Sequence, residues 1–372
     1  MTVRMLGSRG VPGRFGGFET AAEYIGVYLV SKGWRVIVYC QAQGSGPITT
    51  DVWQGIERVI VPVDKPGWRG TSHFDWLSIR HACQHHDLCL TFGYNTGLFN
   101  FRQRMKGIPN IINMDGVEWK RARQGLAKQA LLYLNQWAAT IFGTHLIADH
   151  PEIERNLRRG MSKRRLTTIA YGARPVNDPP AESLAAHGLE PGTYLTLVAR
   201  PIEENSILEI VRTFSAKPRG VKLAVLGEYQ PEQVAYHRAV MDAASNEVRF
   251  LGPIYGYAAV EPLRYHSLGY LHGHTVGGTN PSLVEALAAR NAIIAHDNPF
   301  NRWVAQDAAL YFQDEAGLDC ALDTLLNDRT TRARLEEAAE RRFLAEFTWD
   351  RVVAQYEELL VRHQPAARRS PP

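Results

Sequence analysis

The chain has 372 residues, of which 45% are hydrophobic and 22% are charged, and its formal net charge is +4. These proportions are typical of a globular protein large enough for two domains, and no run of about 18 uncharged apolar residues predicts a membrane-spanning helix. The first six residues lead into a strand and a glycine loop rather than a signal peptide, and the four cysteines lack paired metal spacing, so we expect reduced core thiols in a cytoplasmic protein.

The net charge conceals an asymmetry along the chain. Residues 1–175 contain 23 Lys and Arg against 12 Asp and Glu, whereas the remainder contains 19 against 26. A basic half favours an anionic partner, for which nucleic acid, a membrane surface and a lipid pyrophosphate are candidates. A basic surface with no partner is the plainer interpretation.

Short apolar runs alternate with amphipathic stretches, which predicts two successive α/β domains. In the first domain, 1–173, strands are predicted at 3–6, 35–40, 58–63, 87–92, 110–114, 145–148 and 166–170, with helices at 19–32, 71–84 and 124–142. Proline density in 174–192 predicts a linker without regular structure.

The second domain, 193–349, continues the same alternation. Its strands are predicted at 194–198, 222–226, 248–250, 268–271 and 292–295. A strong terminal helix is predicted at 350–362, and residues 364–372 are expected to be disordered. Two Rossmann-like domains of this kind are expected to face each other across a cleft, with ligands at the carboxyl ends of the strands.

The most informative segment begins a predicted helix in the second domain. It runs through Gly277, Gly278, Thr279, Asn280, Pro281, Ser282 and Leu283 and places Glu285 on the following turn. Backbone N–H groups at a helix start suit phosphate, and a carboxylate farther along can accept hydrogen bonds from a sugar diol. The pattern indicates a nucleotide-sugar site, although an ordinary loop-to-helix junction has the same form.

A second glycine-rich loop follows the first predicted strand. Gly16 and Gly17 allow close approach of a ligand to the backbone before the first helix, and Glu19 can pair with a basic neighbour or hold the loop. The loop matches neither a phosphate-loop pattern nor a clean dinucleotide fingerprint. A tight turn alone is the alternative.

Arg200 follows the strand predicted at 194–198 and is the best candidate for a phosphate clamp, because a guanidinium binds phosphate oxygens bidentately. Glu204 and Asn205 follow within one turn. A surface ion pair is the alternative role for Arg200 taken alone.

In the basic half, a polar segment follows the strand predicted at 110–114. Asp115 and Glu118 are the acid–base candidates, and Arg121 and Arg123 are placed to hold an anionic acceptor. Asp115 as the cap of a following helix is an equally good interpretation.

Two further patterns remain open. His272 and His274 lie on one face of a predicted strand, but no nearby carboxylate or cysteine completes a metal site, so we expect one to bind sugar or phosphate and the other to pack. The apolar and aromatic residues between 126 and 142 predict either core or a membrane-facing helix surface.

Taken together, Gly16, Gly17 and Glu19, Arg200 and Glu285 resemble the motifs of family-4 glycosyltransferases. The resemblance implies the GT-B fold, an α/β architecture whose terminal helix crosses back to the first domain. The segment from Gly7 to Thr20, with His274 and 277–285, is more similar still to the bacterial rhamnosyltransferase branch, which uses dTDP-rhamnose in surface polysaccharide synthesis.

The resemblance also implies roles for individual residues. Gly16 and Gly17 would approach the donor diphosphate, Arg200 would neutralise it with N–H groups near Asn280, Ser282 and Leu283, and Glu285 would bind the ribose or deoxyribose. The family has a second Glu where this chain has Gly277 and often a Lys where it has Asn205. His274 and Asn280 are the residues expected to compensate.

Such enzymes need no metal or other cofactor and retain anomeric configuration, and Asp115 is expected to orient the acceptor hydroxyl or act as its base. We therefore expect a cytoplasmic transferase of L-rhamnose onto a lipid-linked or oligosaccharide acceptor, with peripheral contact at an anionic membrane and no role for nucleic acid. The alternatives are a UDP- or GDP-hexose donor, a nucleotide-sugar epimerase, a Rossmann oxidoreductase and a non-catalytic nucleotide-sugar binding protein.

Overall fold

The computed structural model describes residues 1–13, 16–114, 116, 125–157, 163–254 and 256–365. The chain divides into two compact units, of which the first comprises Met1–Tyr171 with the segment from Trp349 onward, and the second is Gly172–Thr348. Of the described helices, none combines the length and apolar character that crossing a membrane requires.

The first unit is built on a mostly parallel sheet. Its strands are β1 (Thr2–Leu6), β2 (Arg35–Gln43), β3 (Thr49–Trp53), β4 (Ile56–Val63), β5 (Leu88–Phe92), β6 (Asn110–Asn113), β7 (His145–Ala148) and β8 (Leu166–Thr168). Its first helices are α1 (Gly17–Ser31), α2 (Gly67–Ala82), α3 (Phe101–Met105), α4 (Leu126–Phe142) and α5 (Pro151–Leu157). Among the described residues the strand order is β3-β4-β2-β1-β5-β6-β7-β8, and only β3 pairs antiparallel.

The second unit contains a parallel sheet in the order β11-β10-β9-β12-β13-β14 within the described ranges. Its strands are β9 (Tyr194–Val198), β10 (Lys222–Leu226), β11 (Val248–Gly252), β12 (Gly269–His272), β13 (Ile293–His296) and β14 (Ala309–Phe312). Its helices are α6 (Glu182–Ala185), α7 (Ile207–Ser215), α8 (Ala235–Asp242), α9 (Tyr257–Tyr265), α10 (Pro281–Ala288), α11 (Pro299–Ala305), α12 (Glu315–Asn327) and α13 (Arg329–Glu346).

The last helix, α14 (Trp349–Arg362), belongs to the first unit, as the resemblance implied. Its apolar face packs against the core formed by α1 and β1. The Tyr356 hydroxyl accepts a hydrogen bond from the Asn113 amide at 2.8 Å, and Tyr24 stacks on Trp349 with ring centroids 4.4 Å apart. Burial of this face therefore completes the core of the first unit.

Some features differ from the sequence expectations. The segment predicted as an irregular linker contains α6, and Leu184 and Leu189 are buried in the core of the second unit beside Tyr194. Strands β3 and β14 were not predicted. Three cysteines are buried as expected, but Cys320 is exposed, because it lies on the solvent face of α12.

Candidate functional site

Each sheet contains a point where the strand order reverses. In the second unit the chain passes from β9 to β10 and β11 on one side and returns to β12 on the other, so β9 and β12 are neighbours. Ligands bind in open α/β sheets at the carboxyl ends of strands flanking such a point. Arg200 follows β9, and the segment from His274 to Asn280 follows β12 and leads into α10.

The loops that follow β9 and β12 are bound to each other. Thr275 donates two hydrogen bonds to the carbonyl of Glu204, from its N–H at 2.9 Å and its hydroxyl at 3.0 Å. A Cβ at Gly273 would lie 2.2 Å from the Asn205 carbonyl oxygen, so only glycine allows the two backbones to approach this closely. The main chain on both sides of the switch point is therefore held in place.

Asn205 has a role that the sequence did not indicate. Its side chain is buried, and its amide donates to the carbonyl of Arg200 at 2.8 Å. The Asn205 amide therefore shapes the turn that presents the exposed Arg200. The amide nitrogen of Asn205 is therefore used within the protein, and a contact of Asn205 with a donor stays a prediction.

The start of α10 uses several of its own N–H groups. Asn280 caps the helix, with its side-chain oxygen accepting from the Ser282 N–H at 3.0 Å, and its carbonyl accepts from the Leu283 N–H at 3.1 Å. The Leu283 side chain is fully buried, and Thr279 is also buried. Asn280 therefore accepts from the N–H groups of Ser282 and Leu283, which the sequence assigned to phosphate. Gly277 and Gly278 are partly exposed.

Arg264 is the organising residue of this region. The Arg264 side chain is 3% exposed, and its Nη2 lies 2.8 Å from Oε2 of Glu285, whose side chain is 27% exposed. The same guanidinium donates to the Ser282 carbonyl at 3.1 Å and to the Ser282 hydroxyl at 2.9 Å. One carboxylate oxygen of Glu285 is thus fixed from inside the protein, and Oε1 makes no hydrogen bond to the described residues. Glu285 can accept a hydrogen bond from a ligand through Oε1.

The Ser282 hydroxyl connects this pair to the sheet. It lies 2.7 Å from the Tyr270 hydroxyl on β12 and donates to the Val198 carbonyl at the end of β9 at 3.0 Å. The ends of both switch-point strands are therefore tied to the first turn of α10. Ser282, expected from the sequence to contact a donor, directs its side chain into this network.

The two histidines stack on each other with centroids 4.3 Å apart and an interplanar angle of 8°. His272 is fully buried, and its Nδ1 lies 3.3 Å from the Tyr270 hydroxyl, whereas His274 is partly exposed. His272 therefore packs, and His274 is the one placed toward the surface of the loop. Within the described ranges, no group of three or more His, Cys, Asp or Glu side chains is arranged to hold a metal.

In the first unit the equivalent switch point lies between β1 and β5. Glu19 on α1 accepts a hydrogen bond from the Arg9 N–H at 3.0 Å, and Glu23 accepts from the Gly13 N–H at 2.7 Å. Glu19 therefore holds the loop after β1, one of the two roles considered for it. Gly17 begins α1 and is partly exposed, and Gly16 is the exposed residue immediately before the helix.

The candidate acceptor residues Asp115, Glu118, Arg121 and Arg123 lie outside the described residues. The residues on either side of Asp115 are buried: the Met114 N–H donates to the Ile147 carbonyl at 2.8 Å, and the Gly116 carbonyl accepts from the Tyr94 hydroxyl at 3.1 Å.

Sequence reasoning missed Arg264, Tyr270 and the structural use of Ser282 and Asn205. Arg264 lies near the end of a helix, where a cation is ordinarily a solvated partner of the helix dipole. Its burial and its ion pair with Glu285 are visible only in the three-dimensional structure.

Comparison with solved structures shows that the chain has the GT-B glycosyltransferase fold. Sucrose-phosphate synthase from Thermosynechococcus elongatus matches with a TM-score of 0.83 and 16% identity, over 97% of this chain and 98% of that chain. Anabaena HepE in complex with UDP-glucose matches with a TM-score of 0.77 and 14% identity, over 97% and 100%. Trehalose-6-phosphate synthase OtsA matches with a TM-score of 0.77 and 10% identity, over 97% and 99%.

At the level of sequence, residues 1–174 match a family model described as a domain of unknown function, DUF1972. No curated protein matches the chain. Identities of this size to solved structures establish the fold and not the reaction, so the family-4 and rhamnosyltransferase assignments stay predictions.

We expect Arg264→Met to destabilise the second unit by about 3 kcal/mol, because it leaves the Glu285 carboxylate and the Ser282 groups without their buried partner. Arg302→Met is the matched control, since Arg302 pairs with Asp297 but its side chain is 56% exposed, and such pairs contribute about 0–1 kcal/mol. Denaturant unfolding of both variants measures the difference. Equal losses would show that the Arg264 contacts carry no special stabilisation.

Burial, followed by the neighbouring His274 and Arg264, holds the pKa of His272 well below its ordinary value. An unfolded histidine takes up a proton below about pH 6.5 that the folded chain cannot accept, so this contribution to stability is complete above that pH and decreases below it. We expect His272→Phe to flatten the decline in melting temperature between about pH 7 and pH 5. Exposed His86→Phe is the control, and parallel profiles for His272→Phe and wild type would contradict the assignment.

Proposed function

We propose that this chain is a glycosyltransferase that binds a nucleoside-diphosphate sugar on its second unit and transfers the sugar to an acceptor bound by its first unit. The observation that carries this proposal is the Glu285 carboxylate, fixed at Oε2 by buried Arg264 and available at Oε1, beside a switch point where Arg200 is exposed. A carboxylate that accepts hydrogen bonds from a diol and a cation that pairs with phosphate are the two functions that a nucleotide-sugar donor requires.

The structural neighbours support this donor class. HepE has been crystallised with UDP, with UDP and glucose and with UDP-glucose, and a trehalose-6-phosphate structure contains UDP-2-fluoro glucose. In this proposal Glu285 binds the ribose or deoxyribose hydroxyls, and Arg200 neutralises the diphosphate. The N–H groups near Asn280, Ser282 and Leu283, at the start of α10, support the leaving diphosphate.

Asn280 has a specific part in this proposal. It holds the Ser282 N–H by its side chain and the Leu283 N–H by its carbonyl, so a phosphate that binds these groups replaces an internal acceptor rather than bulk water. Helix-start N–H groups and Arg200 together supply the positive charge for the leaving diphosphate, and the proposed reaction requires no metal. We infer retention of anomeric configuration, with the leaving phosphate assisting deprotonation of the acceptor.

The finer proposal is that the donor is dTDP-rhamnose and the acceptor a lipid-linked or oligosaccharide molecule used in surface polysaccharide synthesis at the cytoplasmic face of a membrane. It rests on the sequence resemblance from Gly7 to Thr20 and from His274 to Glu285. Gly277 stands where the family has a carboxylate, and a Cβ there would meet no atom within 4 Å. The space beside Gly277 suits a sugar held by fewer charged contacts, with His274 as the candidate partner.

A thermal-shift panel of dTDP-rhamnose, UDP-glucose, UDP-GlcNAc, GDP-mannose and NAD, with and without EDTA, tests the donor. We expect selective stabilisation by dTDP-rhamnose that EDTA does not change, about 2.7 kcal/mol when the ligand is at 100 times its Kd. Stabilisation by a UDP- or GDP-sugar alone would keep the class and replace the donor. Stabilisation by NAD alone, or by no ligand, would contradict the proposed function.

The same assay on Glu285→Gln tests the diol contact. Hydrogen bonds to a charged group contribute about 1.5–3 kcal/mol, so we expect at least about tenfold weaker donor binding. Glu340→Gln is the control, because Glu340 is a partly exposed glutamate of the second unit that pairs with Arg290. Each variant is compared with and without donor, which separates loss of binding from loss of stability.

Asp115→Asn tests the proposed acceptor base. General-base catalysis contributes about 10²–10⁴-fold, so we expect the transfer rate to fall by about 100-fold or more while donor binding is unchanged. Asp64→Asn, at an exposed site of the same unit, controls for loss of a surface charge. A variant that retains the full transfer rate would remove this role from Asp115.

A further inference from the structure

Helix α4 has an unusual distribution of apolar side chains. Its large residues that face solvent are between 41% and 85% exposed, and they are Leu126, Leu131, Tyr133, Leu134, Trp137 and Ile141. At 100° per residue, five of these six lie within about 100° of the helix circumference, and Leu131 lies about 60° beyond one edge of this face. The solvent face of α4 is thus more apolar than the surface of a water-exposed helix ordinarily is.

The opposite face of α4 fixes the helix to the first unit. Leu132, Ala138 and Ala139 are buried, and buried Asn135 accepts the Leu98 N–H at 3.0 Å. The Arg165 guanidinium donates to the carbonyls of Thr140 and Thr144 at 3.2 Å, which satisfies acceptors at the C-terminal end of α4. These contacts fix the orientation of α4 on the first unit. The apolar residues on its outer side are therefore exposed in the intact helix, and their exposure does not result from fraying of the helix.

The sequence that includes α4 and the preceding helix is predominantly basic. From residue 88 to residue 148 the sequence contains seven Lys and Arg but two carboxylates, Asp115 and Glu118, and none in 119–148. Among the described cations, Arg104 and Lys106 are exposed at the end of α3, which contacts α4. Lys128 is exposed near the start of α4, but on the side of the helix away from this face. Phe101 and Met105 on α3 extend the apolar surface.

We propose that the α4 face, defined as the six exposed apolar residues named above, inserts into the headgroup region of an anionic lipid bilayer. Apolar residues with Trp and Tyr, flanked by cations, are the composition that binds such an interface. A second copy of this chain is a poorer occupant, because a symmetric contact would bring the same cations together. The inference deepens the proposed function by specifying the surface through which the first unit reaches a lipid-linked acceptor.

Co-sedimentation of the full chain with vesicles tests this surface without donor or acceptor. We expect binding to vesicles of about three parts phosphatidylcholine to one part phosphatidylglycerol, little binding to phosphatidylcholine alone, and weaker binding at high salt. Leu134→Ser/Trp137→Ser is expected to reduce binding at least about tenfold, because it removes two buried apolar contacts with the bilayer. Arg104→Glu is expected to reduce the preference for the anionic vesicles.

Leu344→Ser/Met241→Ser is the matched control, since both residues are exposed apolar side chains of the second unit. Circular dichroism establishes that every variant is folded, and the donor thermal shift is measured on the same samples. Absence of vesicle binding by the wild type, or equal losses in the two apolar double variants, would overturn this proposal even if donor binding is intact. A dimer in light scattering that only Leu134→Ser/Trp137→Ser dissociates would also overturn it, in favour of self-association.

Discussion

The buried guanidinium of Arg264 is the constraint on which the second unit's candidate site depends. A cation at this level of burial requires several good partners, because its desolvation costs several kcal/mol. Here the partners are the Ser282 carbonyl, the Ser282 hydroxyl and the Glu285 carboxylate, all from one turn of α10. Satisfying Arg264 therefore sets the position of α10 relative to α9 and, through the Ser282 hydroxyl, relative to the ends of β9 and β12.

The polar side chains around the switch point fall into two sets. One set is buried and stabilises the protein, and the other reaches solvent, where it can contact a ligand. Asn205 and His272 lie close to the switch point, yet their side chains are buried and serve the protein interior. Arg200 and one oxygen of Glu285 remain toward solvent, on backbone held by their buried neighbours. A site of this kind is preorganised, because the groups that would contact a ligand are positioned before it arrives.

In helix α4 of the first unit, many of the large apolar residues are exposed although the sequence has the apolar periodicity of a helix. The stretch 126–142 has helical periodicity, which identifies faces but does not decide which face is turned inward. In the structure, the inner face consists of Leu132, Asn135, Ala138 and Ala139. Gly97 approaches it closely, since a Cβ on Gly97 would lie 2.2 Å from the Asn135 carbonyl oxygen. Beside Gly97 the inner face has no room for a larger side chain, and apart from Leu132 the bulky apolar residues of α4 lie on the outer side.

The sequence by itself determined the alternation of strands and helices and the terminal helix, because buried parallel strands are continuous apolar runs. Strands 145–148, 194–198 and 222–226 have the predicted limits. It could not reveal β3, which is an exposed edge strand without such a run. The sequence also indicated Gly277–Glu285 and Arg200 as candidate site residues, because a glycine-rich helix start followed by a carboxylate and an arginine after a strand are local patterns. Tertiary structure alone decided that Arg264 holds Glu285, that Ser282 faces inward and that α4 turns its apolar side outward, because each depends on partners distant in sequence.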